Sequence, residues 1–114
     1  MSKKILLVED DVDATLMLTK MLSNAGYTVN ALPEGTSLVG QEFPLPDMFI
    51  LDNFMPTIHG VALCKYLKLQ SKTKSIPIII ISANQQLKNK ATEAGATTFL
   101  GKPFHTTQLL TLVD

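Results

Sequence analysis

The sequence predicts an α/β fold, a doubly wound five-stranded parallel sheet with helices on both faces. Three observations lead there. Short continuous apolar runs, of the kind expected in strands covered on both sides, alternate with stretches of helical periodicity. Turn residues separate the two kinds of segment, as βαβ units require. No repeat, low-complexity tract or internal linker interrupts the series, so 114 residues form one domain with its own core.

The first strand is the run at residues 5–8. Ala14, Met17, Leu18, Met21, Leu22 and Ala25 then recur at helical spacing and lay one stripe against a core. Asp11 or Asp13 can cap that helix, and Gly26 can close it in a left-handed conformation. Residues 27–31 read as a second strand. Between Pro33 and Phe43 the helix signal is weak, because Gly35 and Gly40 both lower propensity. Pro44 and Pro46 mark a loop before the third strand, residues 48–51.

A helix over 61–69 carries Leu63, Cys64 and Leu67 on one side. Residues 78–81, four isoleucines in a row, are the strongest strand, and Pro77 is tolerated at its first position. Leu87, Ala91 and Ala94 give a thin stripe on a polar helix over 85–94, closed by Gly95. Residues 97–100 form the fifth strand, and a last helix runs from Thr106 to Val113.

Composition excludes several function classes. Net charge is zero and all ten basic residues are lysine, so direct nucleic-acid binding is not expected of this domain. The single cysteine, Cys64, lies among apolar residues and reads as a buried, inert thiol. Two lysines near Met1 lead into only four apolar residues, which is no signal peptide. The apolar run 76–81 is too short to span a bilayer. A soluble protein of a reducing, cytoplasmic compartment is expected, with no membrane partner.

In open α/β sheets, ligands bind beyond the carboxyl ends of the strands. The first strand here ends in Glu9-Asp10-Asp11, the third in Asp52, the fourth in Ser82, and Lys102 follows the fifth. With strand order 2-1-3-4-5, Asp10 and Asp52 face each other on neighbouring strands. Two carboxylates about 4 Å apart repel by roughly 4 kcal/mol at an effective dielectric near 20. A cation relieves that repulsion, and the hard oxygen donors Glu9, Asp10 and Asp52 suit Mg²⁺. No GxxxxGK[ST] or GxGxxG motif occurs, so phosphate-loop and dinucleotide readings lack support. His59 and His105 have no metal-ligand spacing and read as surface or capping residues.

Glu9-Asp10, Asp52 followed by Met55-Pro56, Ser82-Ala83 and Lys102-Pro103-Phe104 together resemble the signature of receiver domains of two-component response regulators, which have a flavodoxin-like fold. The resemblance covers essentially the whole chain. It implies that Asp52 accepts a phosphoryl group from a sensor histidine kinase or a histidine phosphotransfer protein, as in a phosphorelay. It implies that Asp10, Asp52 and the backbone carbonyl of Phe54 bind Mg²⁺, with Glu9 supporting through water. Lys102 would pair with a phosphoryl oxygen, Ser82 would donate a hydrogen bond to another, and Phe99 would change orientation on activation. A cis Lys102–Pro103 bond is implied as well.

Such a domain catalyses its own aspartyl phosphorylation and dephosphorylation but is primarily a signalling switch. Phe99 lacks the phenolic hydroxyl of many members, which leaves the switch to packing alone. Phe54 and Asn84 occupy the variable positions two residues beyond Asp52 and Ser82. Two other readings are set against this one. A degenerate receiver would act as a phosphorylation-independent binding module, against which the intact site residues argue. A haloacid-dehalogenase-type hydrolase wants Asp-x-Asp after its first strand, and Asp11-x-Asp13 lies too far into the helix start. The chain fits either a stand-alone receiver or the N-terminal part of a longer regulator with an output partner that the sequence does not name.

Overall fold

The computed structural model describes residues 3–40, 42–53 and 58–114. Five parallel strands form one sheet: β1 (Lys4–Val8), β2 (Thr28–Leu32), β3 (Met48–Asp52), β4 (Ile78–Ser82) and β5 (Thr98–Gly101). Their spatial order is β2-β1-β3-β4-β5, as the sequence predicts. The chain moves outward from β1 in one direction to β2 and in the other through β3, β4 and β5. The topological switch point therefore falls between β1 and β3.

Four helices cover the sheet: α1 (Val12–Asn24), α2 (Gly60–Leu69), α3 (Lys88–Glu93) and α4 (Thr106–Val113). Alternation along each strand divides the core in two. Leu6, Val8, Phe49, Leu51, Ile78 and Ile80 face the side covered by Leu63, Cys64 and Leu67 of α2 and Ala91 of α3. Ile5, Leu7, Ile50, Ile79 and Ile81 face the side covered by Leu18 and Leu22 of α1 and Leu109 and Val113 of α4. Every residue of β4 is buried, because this interior strand is sandwiched by helices on both faces.

The caps follow from sequence. Asp11, not Asp13, is the N-cap of α1, its carboxylate accepting from the Asp13 amide at 3.3 Å. Gly26 and Gly95 close α1 and α3 with φ of +99° and +100°, a region that side chains with a Cβ rarely enter. At α4, the Gln108 side chain accepts from the His105 amide at 2.7 Å, which agrees with a capping position for that histidine.

Two expected elements differ. The weak helix between Pro33 and Phe43 does not form; only a 3₁₀ turn, Thr36–Leu38, occupies that connection. Glycines at 35 and 40 leave too few residues between them to propagate a helix from its costly first turn. The helix expected over 85–94 begins instead as a 3₁₀ turn, Gln85–Leu87, with α3 proper limited to six residues. Asn84 starts that turn by accepting from the Gln86 amide through its side-chain oxygen at 3.0 Å. No helix among the described residues is long and apolar enough to cross a membrane.

Candidate functional site

The register of the sheet builds the site. Val8 pairs with Leu51 across β1 and β3, which brings Glu9 level with Asp52 one residue further on. The Glu9 amide still bonds the Leu32 carbonyl of β2, and the Asn53 amide bonds the Ile81 carbonyl of β4, both at 3.0 Å. Backbone ladders thus hold the acids on either side. Carboxylate oxygens of Glu9, Asp10 and Asp52 lie within 4.8 Å of one another. Glu9 and Asp52 are buried, at 3% and 5% exposure, and Asp10 is exposed at the rim.

Lys102 enters from the end of β5. Its Nζ lies 3.1 Å from Asp52 Oδ1 and 3.5 Å from Glu9 Oε1. One ammonium faces three carboxylates, so the pocket keeps an excess of negative charge. Burial, then the charge of Asp52, push the Glu9 carboxyl up to about 7, against the pull of Lys102. Burial by itself would lower the Lys102 ammonium. Its hydrogen bond to Asp52 and the charges of Asp52 and Glu9 outweigh that and hold it above its ordinary value. A set of hard oxygen donors with surplus negative charge fits a divalent cation such as Mg²⁺. The peptide bond that follows, Lys102–Pro103, is cis, as expected.

Ser82 closes β4 on the same edge and is fully buried. Its Oγ accepts from the Asn84 amide at 3.0 Å, which leaves the hydroxyl hydrogen available for donation. Phe99 sits two residues before the end of β5, part-buried against the core under α2 and α3. The backbone carbonyl of Phe54, assigned to the metal by resemblance, lies outside the described residues, as do Met55 and Pro56. The structure therefore gathers Glu9, Asp10, Asp52 and Lys102 in one pocket, with Ser82 on the adjoining strand and Phe99 further back.

Two residues that sequence reasoning passed over set the position of Asp52. Asn53 is buried, and its side-chain oxygen accepts from the Val61 amide of α2 at 3.1 Å. Its carbonyl receives the Gly60 amide at 3.2 Å and lies 3.0 Å from His59 Nδ1. Gly60 lets α2 start against this strand end: a methyl group there would lie 2.8 Å from the Asp52 carbonyl oxygen and 3.0 Å from Asn53 Cα. The signal available was a polar Asn extending an otherwise apolar run, with a glycine opening a helix where glycine is a poor former. Cys64 is buried as expected, and burial raises its thiol to about 11, which makes it inert at neutral pH.

Comparison with known proteins agrees with this geometry. The family model of the response regulator receiver domain matches residues 5–114. The chain belongs to that family. Among curated relatives, the phosphate regulon transcriptional regulatory protein PhoB of Rhizobium meliloti is 31% identical over 99% of this chain. The receiver spans 51% of that PhoB, about half its length.

Solved structures extend the likeness. The signal receiver domain of a signal transduction histidine kinase from Syntrophus aciditrophicus superposes with a TM-score of 0.90 at 30% identity, covering 98% of this chain and 87% of that one. The receiver domain of sensor histidine kinase PA1611 from Pseudomonas aeruginosa PAO1 has a TM-score of 0.88 at 27% identity, covering 99% and 95%. That structure has a magnesium ion coordinated in its active site cleft. The chain is thus a receiver domain with the acidic pocket of a phosphoacceptor site, and the binding-module alternative is not favoured.

Proposed function

We propose that Asp52 is the phosphoacceptor of this receiver domain. The observation that carries the reading is the placement of its carboxylate. It is buried, held by the β3 backbone, 3.1 Å from the Lys102 ammonium and within a cluster of three acids. Glu9, Asp10 and Asp52 would hold Mg²⁺, which when bound supplies positive charge and alignment to the reacting oxygens. The phosphoryl donor is a phosphohistidine on a sensor histidine kinase or histidine phosphotransfer protein. An Asp52 oxygen attacks phosphorus, the P–N bond to the donor breaks, and the imidazole leaves with the bonding pair. An acyl phosphate forms on Asp52. Lys102 offsets charge on the phosphoryl oxygens, and the free hydroxyl hydrogen of Ser82 supplies a further bond to them. This is mostly positioning and electrostatics, which is what phosphoryl transfer asks of a protein.

Val12 and Leu16 support a helical protein donor. They are 69% and 65% exposed on α1, directly beside Glu9 and Asp10, and so offer an apolar landing next to the pocket. We infer a cytoplasmic place of action as part of the same reading, and a single receiver unit over residues 1–114. The test is intact mass after incubation with acetyl phosphate and Mg²⁺. Wild type gains one phosphoryl group and Asp52→Ala gains none. Equal gain in both would move the acceptor elsewhere, and no gain with any donor would return the phosphorylation-independent binding module.

A further inference from the structure

In the β4–β5 register, Ile80 pairs with Phe99 and Ser82 with Gly101. Alternation puts all four on one face of the sheet, the face covered by α2 and α3. Along β5, the stretch between the Phe99 ring and the level of Ser82 thus holds only Gly101, which has no side chain. The notch is filled from elsewhere. A methyl group at position 101 would overlap the amide nitrogen of Gln85 and lie 2.7 Å from its Cδ. Gln85 is exposed at the start of the 3₁₀ turn, yet its amide is laid over β5.

That turn is tied to Ser82. The Ser82 Oγ accepts from the Asn84 amide at 3.0 Å, and Asn84 in turn accepts from Gln86 through its side chain and from Leu87 through its carbonyl. These bonds tie the position of residues 84–87 to that of Ser82. We propose that Gln85 is a positioning residue of the switch. Its amide fills the notch at Gly101 in the resting chain and withdraws when Ser82 is drawn to a phosphoryl group, which opens the notch to the Phe99 ring. The proposal rests on the phosphoacceptor reading of Asp52 given above. Phe99 suits the move, since it carries no hydroxyl to leave unpaired inside.

The test uses the whole chain labelled with 4-fluorophenylalanine and followed by ¹⁹F NMR, with the Phe99 resonance assigned through Phe99→Leu. Beryllium fluoride with Mg²⁺ serves as the phosphoryl analogue, and its own bound fluorine signals report occupancy of the pocket. In wild type, loading shifts the Phe99 resonance. In unloaded Gln85→Ala, that resonance lies more than halfway toward the loaded wild-type position, while bound fluoride and phosphorylation yield are unchanged. Gln85→Met, which keeps the side-chain length, restores the wild-type resting position.

Gln85→Ala with the wild-type resonance when unloaded overturns the proposal, as does Gln85→Met shifting as far as Gln85→Ala. No bound fluoride in wild type counts instead against the phosphoacceptor reading, and the unloaded spectra still decide the notch.

Discussion

The bodies of the strands and their carboxyl ends obey opposite rules. Phe49, Ile50 and Leu51 are fully buried among apolar neighbours, and each such side chain stabilises the fold by about 1.5–3 kcal/mol. One residue later the same burial encloses Asp52, with Glu9 beside it and one ammonium to balance them. Charge held out of water costs stability unless it is fully paired. The middle of the sheet holds the fold together, and its edge stores electrostatic tension that a cation or a phosphoryl group can use. Function is placed where the fold is under strain, against a support rigid enough to bear it.

The largest expected effect lies in the body. Phe49→Ala removes a ring that meets Phe43 edge-on at 6.2 Å between centroids. It should lower unfolding free energy by about 3–5 kcal/mol in a denaturant titration. A cost below that of Glu9→Gln would break the contrast outright.

The edge should respond to pH with the opposite sign from an ordinary carboxylate. Glu9 is raised from 4.5 to about 7 in the folded chain, so between those values folding takes up a proton. Its penalty is absent below pH 4.5, grows as pH rises, and is complete above about 7. Metal-free protein should therefore lose up to roughly 3 kcal/mol between pH 4.5 and 8 from this group. Glu9→Gln should flatten that profile, and Mg²⁺ should raise the melting temperature more at pH 8 than at pH 5. A metal-free profile that rises with pH over this range, with wild type and Glu9→Gln parallel, would count against a strained edge.

Gly60→Ala probes the boundary between the two regions. The added methyl group meets the backbone of Asp52 and Asn53, which cannot yield without moving the acid. A stability loss of about 1–3 kcal/mol is expected together with slower uptake of phosphoryl from acetyl phosphate. Loss of stability at an unchanged phosphorylation rate would separate Gly60 from the site. The smallest effect belongs to Leu87→Ala, beside α3, where Ala91 is the only buried residue of the helix. It should cost under about 1 kcal/mol, and α3 amides should exchange faster than those of α2, which buries Gly60, Leu63, Cys64 and Leu67.

Most of the sheet was legible because parallel strands buried on both faces must be apolar throughout, and Ile78 to Ile81 can hardly be read otherwise. The charged residues of the pocket were legible for a related reason: Glu9, Asp10, Asp52 and Lys102 each lie at the end of such a run, where the fold collects ligands. The connection after β2 was half-legible, since Gly35 and Gly40 lowered the helix signal without stating what replaces it. Asn53 and Gly60 were missed because their work, a hydrogen bond from the Val61 amide and a close backbone approach, depends on where α2 starts against β3, which residue spacing does not fix. The same holds for the notch at Gly101. An absent side chain has meaning only once its neighbours are placed.

Pairing of β1 with β3 has a consequence for assembly of the molecule. Glu9 and Asp52 come level only when Val8 stands opposite Leu51, and a slip of one residue would turn Asp52 toward the other face. Ion affinity is then a zipper gauge. A divalent cation added during refolding should bind only once β1 and β3 have closed in this register.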